Sequence, residues 1–375
     1  MGEPALHVYD EDSQPPDHGP ALWEILPKIL DDPEAERAPD TIAQYKRAVR
    51  LWTCFDRGLG FQEKPDYESP RNGTVDTGAR LIDAEMLRKF REWMIANAYA
   101  PSTYNKTMRY LRPLLRKLSP AVTGNPEGMG VIDRVPAVKV LKEKKKTKRR
   151  VSLDQLDSLY RSAADMVWPE DDLVRPADAW RALLVILFNL GARTWTEAAS
   201  LPADAVCLDE ESPHDAIDFD APHGWVYYMP EKTKRYDRRA CLPMSATVRM
   251  HLEPIAVAIA GTDRERLLTF GENKKLFYFQ WKRLCEFAGL GVAEGERNET
   301  GSDLRKTCAA TFNTLDGRKG QKLGRWMLGH AEKGTHERHY DIVMPELIQA
   351  VQEISQPPAF SELFAKPIER QLRLF

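Results

Sequence analysis

The stretch DAWRALLVILFNLGART, residues 178 to 194, is apolar on nearly every face from Ala179 to Leu190, where a surface helix would show one apolar stripe. A helix of this kind has no wet side, so other elements must surround it, and only a sizeable domain can supply them. Gly191 stops it. The enclosing domain lies downstream of Arg150. There SLDQLDSLY opens on a Ser152/Gln155 capping box, and GWVYYMPEKTKRYDRRACLP reads as two strands about a polar turn, ending at Pro243. Residues 245 to 355 alternate helical stretches with short loops. The domain is mainly α with a small antiparallel β-sheet.

Upstream, three amphipathic helices form a second unit. PDTIAQYKRAVRLWTCF offers Asp40 as N-cap and Ile42, Tyr45, Val49, Trp52 and Phe55 as a buried stripe. DAEMLRKFREWMIANA repeats the rhythm with Met86, Leu87, Phe90, Trp93 and Met94. The third, APSTYNKTMRYLRPLLRKL, is capped by Ser102. It sets Lys106, Arg109, Arg112 and Arg116 opposite Met108, Leu111, Leu115 and Leu118, a basic face suited to a DNA backbone. At 375 residues the chain accommodates both units.

Between them runs RVPAVKVLKEKKKTKRR, residues 134 to 150, with nine Lys and Arg against Glu143 alone. The run, with Lys144, Lys145, Lys146, Lys148, Arg149 and Arg150 at its end, is either a solvated linker or a segment lying along a polyanion and gaining affinity by counterion release. A net charge of −2 argues against an indiscriminate nucleic-acid binder, but it averages over this run and an acidic leader with eleven Asp and Glu up to Asp40. That leader is proline-rich and lacks a signal pattern, so residues 1–20 read as disordered. No apolar run reaches the roughly 18 residues of a membrane span. The five cysteines are scattered without CxxC spacing, which suits a reducing cytosol and excludes a zinc knuckle.

The chemistry-bearing residues lie in the second half. Arg193 stands at the mouth of the buried helix, where a guanidinium is costly to desolvate unless an anion meets it or Glu197 pairs with it. The Thr194/Glu197 spacing caps the next helix. SDLRKTCAATF places Arg305 similarly, on one side of a helix whose other side is Leu304, Cys308 and Phe312. LGHAEKGTHERHYDIV gathers His330, His336, His339 and Tyr340. His336 and His339 are three apart, but nothing nearby completes a metal site. Trp326, Met327 and Leu323 have the spacing of a packed helix face.

In this order the residues resemble the tyrosine recombinase (phage integrase) family over residues 40 to 345, most specifically at NLGAR, SDLR, MLGH and HERHY. The resemblance implies a two-domain DNA clamp: a helical, SAM-like core-binding domain at 21–133, the basic linker at 134–150, a catalytic domain at 151–350, and a tail at 351–375 that docks on a neighbouring subunit or on its own domain. Carried over residue by residue, the family signature falls on Arg193, the hairpin lysine Lys232, Ser302 and Arg305 of the box, His330, and the nucleophile Tyr340. The sequence departs from the pattern in three places. Ser302 stands where histidine is usual, Glu197 follows Arg193 by four residues where three is common, and Lys234 competes for the lysine role.

The implied reaction needs neither metal nor ATP, and no cofactor. Paired guanidiniums hold the non-bridging oxygens of the scissile phosphate, Tyr340 attacks to give a 3′-phosphotyrosyl intermediate, the lysine protonates the departing 5′-oxygen, and His330 hydrogen-bonds a phosphate oxygen. The implied partners are double-stranded DNA, further copies of the chain as a dimer or tetramer on DNA, and accessory DNA-bending factors. The implied setting is a mobile element or chromosome system in the cytoplasm, at the nucleoid. The alternatives are a topoisomerase of type IB, which shares the nucleophile chemistry, and a catalytically inactive DNA-binding relative, to which Ser302 draws attention.

Overall fold

The computed structural model describes residues 20–31, 37–60, 79–137, 139–143, 150–231, 233–234, 237, 239–290, 301–315, 317–329 and 336–362, with side chains at 80, 317–319, 336–343 and 362 left aside. The chain divides into two compact units, Met1–Lys146 and Thr147–Phe375.

The first unit holds four α-helices among its described residues: α1 (Leu22–Leu30), α2 (Pro39–Asp56), α3 (Ala84–Ala96) and α4 (Pro101–Leu118). The sequence pattern missed α1, which is short and carries Pro27 inside it. Its Leu22, Ile25, Leu26 and Ile29 are nonetheless buried. The core is aromatic at its centre, with Trp52 and Phe90 5.3 Å apart between ring centroids and Phe55 and Trp93 flanking them. Two caps differ from expectation. Prolines 39 and 101 take the first helical position, where a missing N–H costs nothing, so the N-caps move outward to Ala38 and Ala100, and Asp40 and Ser102 lie in the first turn. After α4 comes a second unanticipated element, the hairpin β1 (Pro120–Val122) and β2 (Asn125–Met129).

The second unit wraps α6 (Pro176–Asn189). Every residue from Ala182 to Asn189 is buried, as the all-round apolar pattern requires. Around it stand α5 (Leu153–Ser162), α7 (Ala246–Ile259), α8 (Lys274–Phe287), α9 (Gly301–Phe312), α10 (Gly317–Met327), α11 (His336–Glu353) and α12 (Ala359–Glu362). The Ser152/Gln155 box caps α5 with both reciprocal bonds in place. The predicted hairpin is β4 (Trp225–Tyr228) paired antiparallel with β5 (Ala240–Pro243), in register Val226 to Leu242, and β3 (Val206–Cys207) adds a third strand to β4.

Beyond Tyr340 the chain packs on its own unit as far as it is described. Leu347, Val351 and Ile354 enter the core, and Phe360 of α12 lies 4.8 Å from the ring of Tyr160. Asp157 accepts the backbone N–H of Ala359 at 2.6 Å. Residues 363–375 lie outside the described residues.

Candidate functional site

The buried helix α6 delivers Arg193 through a turn that only glycine fits. Gly191 has φ +58°, and a Cβ there would stand 2.8 Å from Leu328 Cδ2 and 3.1 Å from Cys308 Sγ. Residues Thr194–Ala198 then form a single π turn. Ala198 N–H donates to Arg193 C=O and Ala199 N–H to Thr194 C=O, each at 2.9 Å. A π turn takes one residue more than an α turn. It therefore absorbs the extra residue between Arg193 and Glu197 and brings the carboxylate back over Arg193. Glu197 Oε2 accepts the Arg193 backbone N–H at 2.7 Å, and its Oε1 accepts Arg193 Nη1. The expected Thr194/Glu197 capping pair is thus replaced: Arg193 is the N-cap position, and Glu197 serves it alone.

Arg305 reaches the same carboxylate from α9, its Nη1 lying 3.6 Å from Glu197 Oε2. Its guanidinium also donates to the carbonyls of Gly191 and Leu328, the latter at 2.6 Å. One side chain thus ties the end of α6 to the end of α10. The start of α9 packs against the π turn because Gly301 abuts Thr194, where a Cβ would stand 2.1 Å from Oγ1. Burial lowers the Arg305 pKa, Glu197 raises it again, and Arg193 lowers it. Glu197 is only 4% exposed, against 29% for Arg193 and 14% for Arg305.

Two guanidiniums on one carboxylate leave a surplus positive charge. It faces a cavity of about 90 Å³ lined also by Tyr228, Thr233 and Leu328. Such a site suits an anion with several acceptor oxygens. Tyr228, which the sequence did not single out, holds its proton: burial pushes the phenol well up and Glu197 adds to it. Its signal was the β-branched and aromatic run WVYY, of which Trp225, Val226 and Tyr228 are buried.

The other predicted residues are placed less closely. Ser302 is exposed in the first turn of α9, and its neighbour Asp303 is buried and paired with Lys306 at 2.7 Å. Lys234 is exposed in the turn between β4 and β5. Lys232 and His330 lie outside the described residues, although Gly329, which precedes His330, lines the cavity. Tyr340 lies on α11, and its side chain is outside the described set, as are those of His336 and His339. Among the described residues no group of three His, Cys, Asp or Glu is placed to hold a metal ion, and no helix is long and apolar enough to cross a membrane.

In the first unit Lys106, Arg109, Arg112 and Arg116 are all exposed on α4, while Met108, Leu111, Leu115 and Leu118 are buried. Arg109, Arg112 and Arg116 form one wall of a groove of about 750 Å³, and residues 135–137, 140 and 143 line the other. Arg150 is exposed. Lys144, Lys145, Lys146, Lys148 and Arg149 lie outside the described residues.

No protein-family model matches the chain, and no curated protein does. Solved structures do. A lambda integrase tetramer bound to a Holliday junction matches at TM-score 0.52 and 16% identity, over 88% of this chain and 84% of that one. The XerH site-specific recombinase in a post-cleavage complex with its palindromic difH substrate matches at 0.53 and 15%, over 88% and 82%. The Tn1549 transposon integrase with transposon right end DNA matches at 0.52 and 13%, over 87% and 99%. At such identities the likeness is one of fold, and it spans both units: the chain has the tyrosine recombinase fold.

Proposed function

We propose that the chain is a site-specific DNA recombinase or integrase that cuts and rejoins duplex DNA through a 3′-phosphotyrosyl intermediate. The observation that carries this is the cavity where Arg193 and Arg305 share one buried carboxylate, in a fold otherwise seen in recombinases and integrases solved with DNA. The guanidiniums hold the non-bridging oxygens of the scissile phosphate and stabilise the charge that grows there. Tyr340 Oη attacks phosphorus in line. The bond from phosphorus to the 5′-oxygen breaks, and Lys232 or Lys234 protonates the departing oxygen. The phosphotyrosyl bond keeps the energy of the broken one, so a 5′-hydroxyl of another strand can reverse the step and release the phenol. His330 and Ser302 donate hydrogen bonds to phosphate oxygens. Residues 21–133 act as the core-binding domain, 134–150 as the basic linker and 151–350 as the catalytic domain, in a dimer or tetramer on DNA at the nucleoid.

The test is a nicked suicide duplex carrying the target site, found by selecting bound sequences from a random pool. The parent traps a covalent protein–DNA adduct, and Tyr340→Phe binds equally well but forms none. An adduct that persists in the phenylalanine variant sinks the assignment of the nucleophile. Adducts and relaxation of supercoils on any sequence, without exchange between sites, would identify the topoisomerase chemistry instead.

A further inference from the structure

Tyr228 is the last residue of β4 and stands opposite Ala240 of β5. Strand alternation puts it on the same face as the fully buried Val226, so its ring belongs to the core and only 7% of the residue is exposed. A phenol in such a place ordinarily finds a partner for its hydroxyl, because an unpaired buried O–H is costly and a phenylalanine would fill the same space without it. Among the described residues this hydroxyl has no hydrogen-bond partner. The carboxylate whose charge reaches the phenol is Glu197, and both of its oxygens are already engaged by Arg193, with Arg305 Nη1 3.6 Å from Oε2. Nor is the hydroxyl sealed in. Among the described residues the wholly enclosed side-chain atoms without a partner are Arg181 Nε, Arg264 Nη1 and Gln356 Oε1. The Tyr228 hydroxyl is not one of them, so it opens on free space, and the cavity that Tyr228 lines is the one lined by Arg193 and Arg305.

Resting on the recombinase reading above, we propose that Tyr228 is a further catalytic residue, whose hydroxyl donates a hydrogen bond to a non-bridging oxygen of the scissile phosphate held by Arg193 and Arg305. Three donors then reach the phosphate from three elements: the turn after α6, helix α9 and the sheet. The third is needed because the guanidiniums are partly spent. Arg305 gives Nη1 and Nη2 to the carbonyls of Gly191 and Leu328, and Arg193 gives Nη1 to Glu197. A neutral O–H adds a donor without another charge to desolvate. Burial and Glu197 keep that proton in place, so the group is a donor and not a second nucleophile beside Tyr340.

The test is single-turnover adduct formation on the nicked suicide duplex, with urea unfolding measured alongside. Tyr228→Phe removes only the hydroxyl and is expected to slow adduct formation about ten- to a hundredfold, as loss of a hydrogen bond to a charged group does, with DNA binding unchanged. Its urea midpoint is expected to stay in place or rise, because no bond of the fold is lost. Adduct formation as fast as the parent's overturns the proposal. So does a fall in stability, which would show the hydroxyl bonded within the fold. A second arm replaces each non-bridging oxygen of the scissile phosphate in turn by sulfur, a poorer acceptor. The slowing that sulfur causes in the parent is expected to shrink in Tyr228→Phe at one of the two positions only; the same slowing in parent and variant at both positions overturns the contact. If the parent forms no adduct, the recombinase reading fails, and the anion contact is decided without DNA. With tyrosines carrying carbon-13 at Cζ, the Tyr228 line, known by its absence from Tyr228→Phe, is expected to shift on titration with inorganic phosphate, and a line that stays in place overturns the contact.

Discussion

The arginines of α4 and the arginines around Glu197 are the same residue type under opposite physics. Arg109, Arg112 and Arg116 stand in water on a helix whose other face makes the core, and their folding role is small. Arg193 follows the buried helix α6 and Arg305 reaches its end from α9, both half-buried and held by one carboxylate and two carbonyls. Exposed charges are screened within about 10 Å at moderate salt, whereas desolvated ones keep their interactions and depend on every partner. The first set can therefore be altered with little effect on the fold. In the second, structure and chemistry are inseparable.

Removing the shared carboxylate breaks this comparison most severely. Glu197→Ala leaves two guanidiniums facing each other without their counter-charge, and loss of one partner of a buried pair costs about 3 to 5 kcal/mol. Urea unfolding of the second unit should shift by that amount, and adduct formation should fall with it. Glu197→Gln keeps hydrogen-bonding capacity and should lie between. A stable Glu197→Ala would mean that water solvates these arginines as it does those of α4.

Acid provides the next largest contrast. His251 of α7 is 4% exposed; its ring lies 2.5 Å from the Tyr160 hydroxyl and its Nδ1 2.7 Å from the Thr247 carbonyl. Burial holds its pKa down at about 4, with Arg181 lowering it further and Asp178 opposing. Between pH 6.5 and 4 the unfolded chain therefore binds a proton that the folded chain does not, so stability is lost as pH falls through this window. The full loss is roughly 3 kcal/mol. Below it Asp171 takes over. Burial raises its pKa, but hydrogen bonds from Arg264, Thr269 and the Leu173 and Val174 backbone outweigh that and hold it at about 2. Denaturation of the second unit followed from pH 7 to 4 should show the His251 slope, and His251→Gln should flatten it.

What could be read from sequence follows the same division. Helix α6 was legible because its surroundings demand apolar residues on all sides, and the exposed basic face of α4 because a periodic pattern records which side is wet. Arg193 and Arg305 were legible as members of an ordered set. That they meet on one carboxylate was not, because the meeting depends on a π turn, on Gly191 and on Gly301, none of which leaves a periodic trace. Helix α1 and the β1–β2 hairpin were missed as well. The first carries a helical rhythm at Leu22, Ile25, Leu26 and Ile29, but a proline inside it argues against a helix, and every residue of β1 is exposed, so no alternation marks it. The caps at Ala38 and Ala100 were displaced because the following prolines fix the start of the helix more firmly than a nearby Asp or Ser.

For the exposed set, the comparison is sharpened by charge removal. Each of Lys106, Arg109, Arg112 and Arg116 changed to Gln should leave urea stability within about 0.5 kcal/mol, as surface substitutions do. Each should lower the slope of log K against log salt by about 0.9 if it meets a phosphate. A substitution that flattens nothing identifies a cation that merely solvates the helix.

Ser302 lies between the two regimes, and its effect should be the smallest. It is exposed like the α4 cations, yet it sits in the first turn of the helix that carries Arg305, one residue before the buried Asp303. A histidine in its place would titrate near the ordinary value of about 6.5, whereas a serine hydroxyl can donate a hydrogen bond but cannot charge. If Ser302 donates to the scissile phosphate, Ser302→Ala should slow single-turnover cleavage by what one neutral hydrogen bond contributes, about 0.5 to 1.5 kcal/mol, with no change in urea stability. Ser302→His should cleave at neutral pH and gain a titrating step on the acid limb between pH 5 and 7. Alanine cleaving as fast as the parent would place Ser302 with the solvated residues of the surface. Loss of urea stability in the alanine variant would place it with Glu197, as a residue whose contribution to the fold comes before any contribution to the reaction.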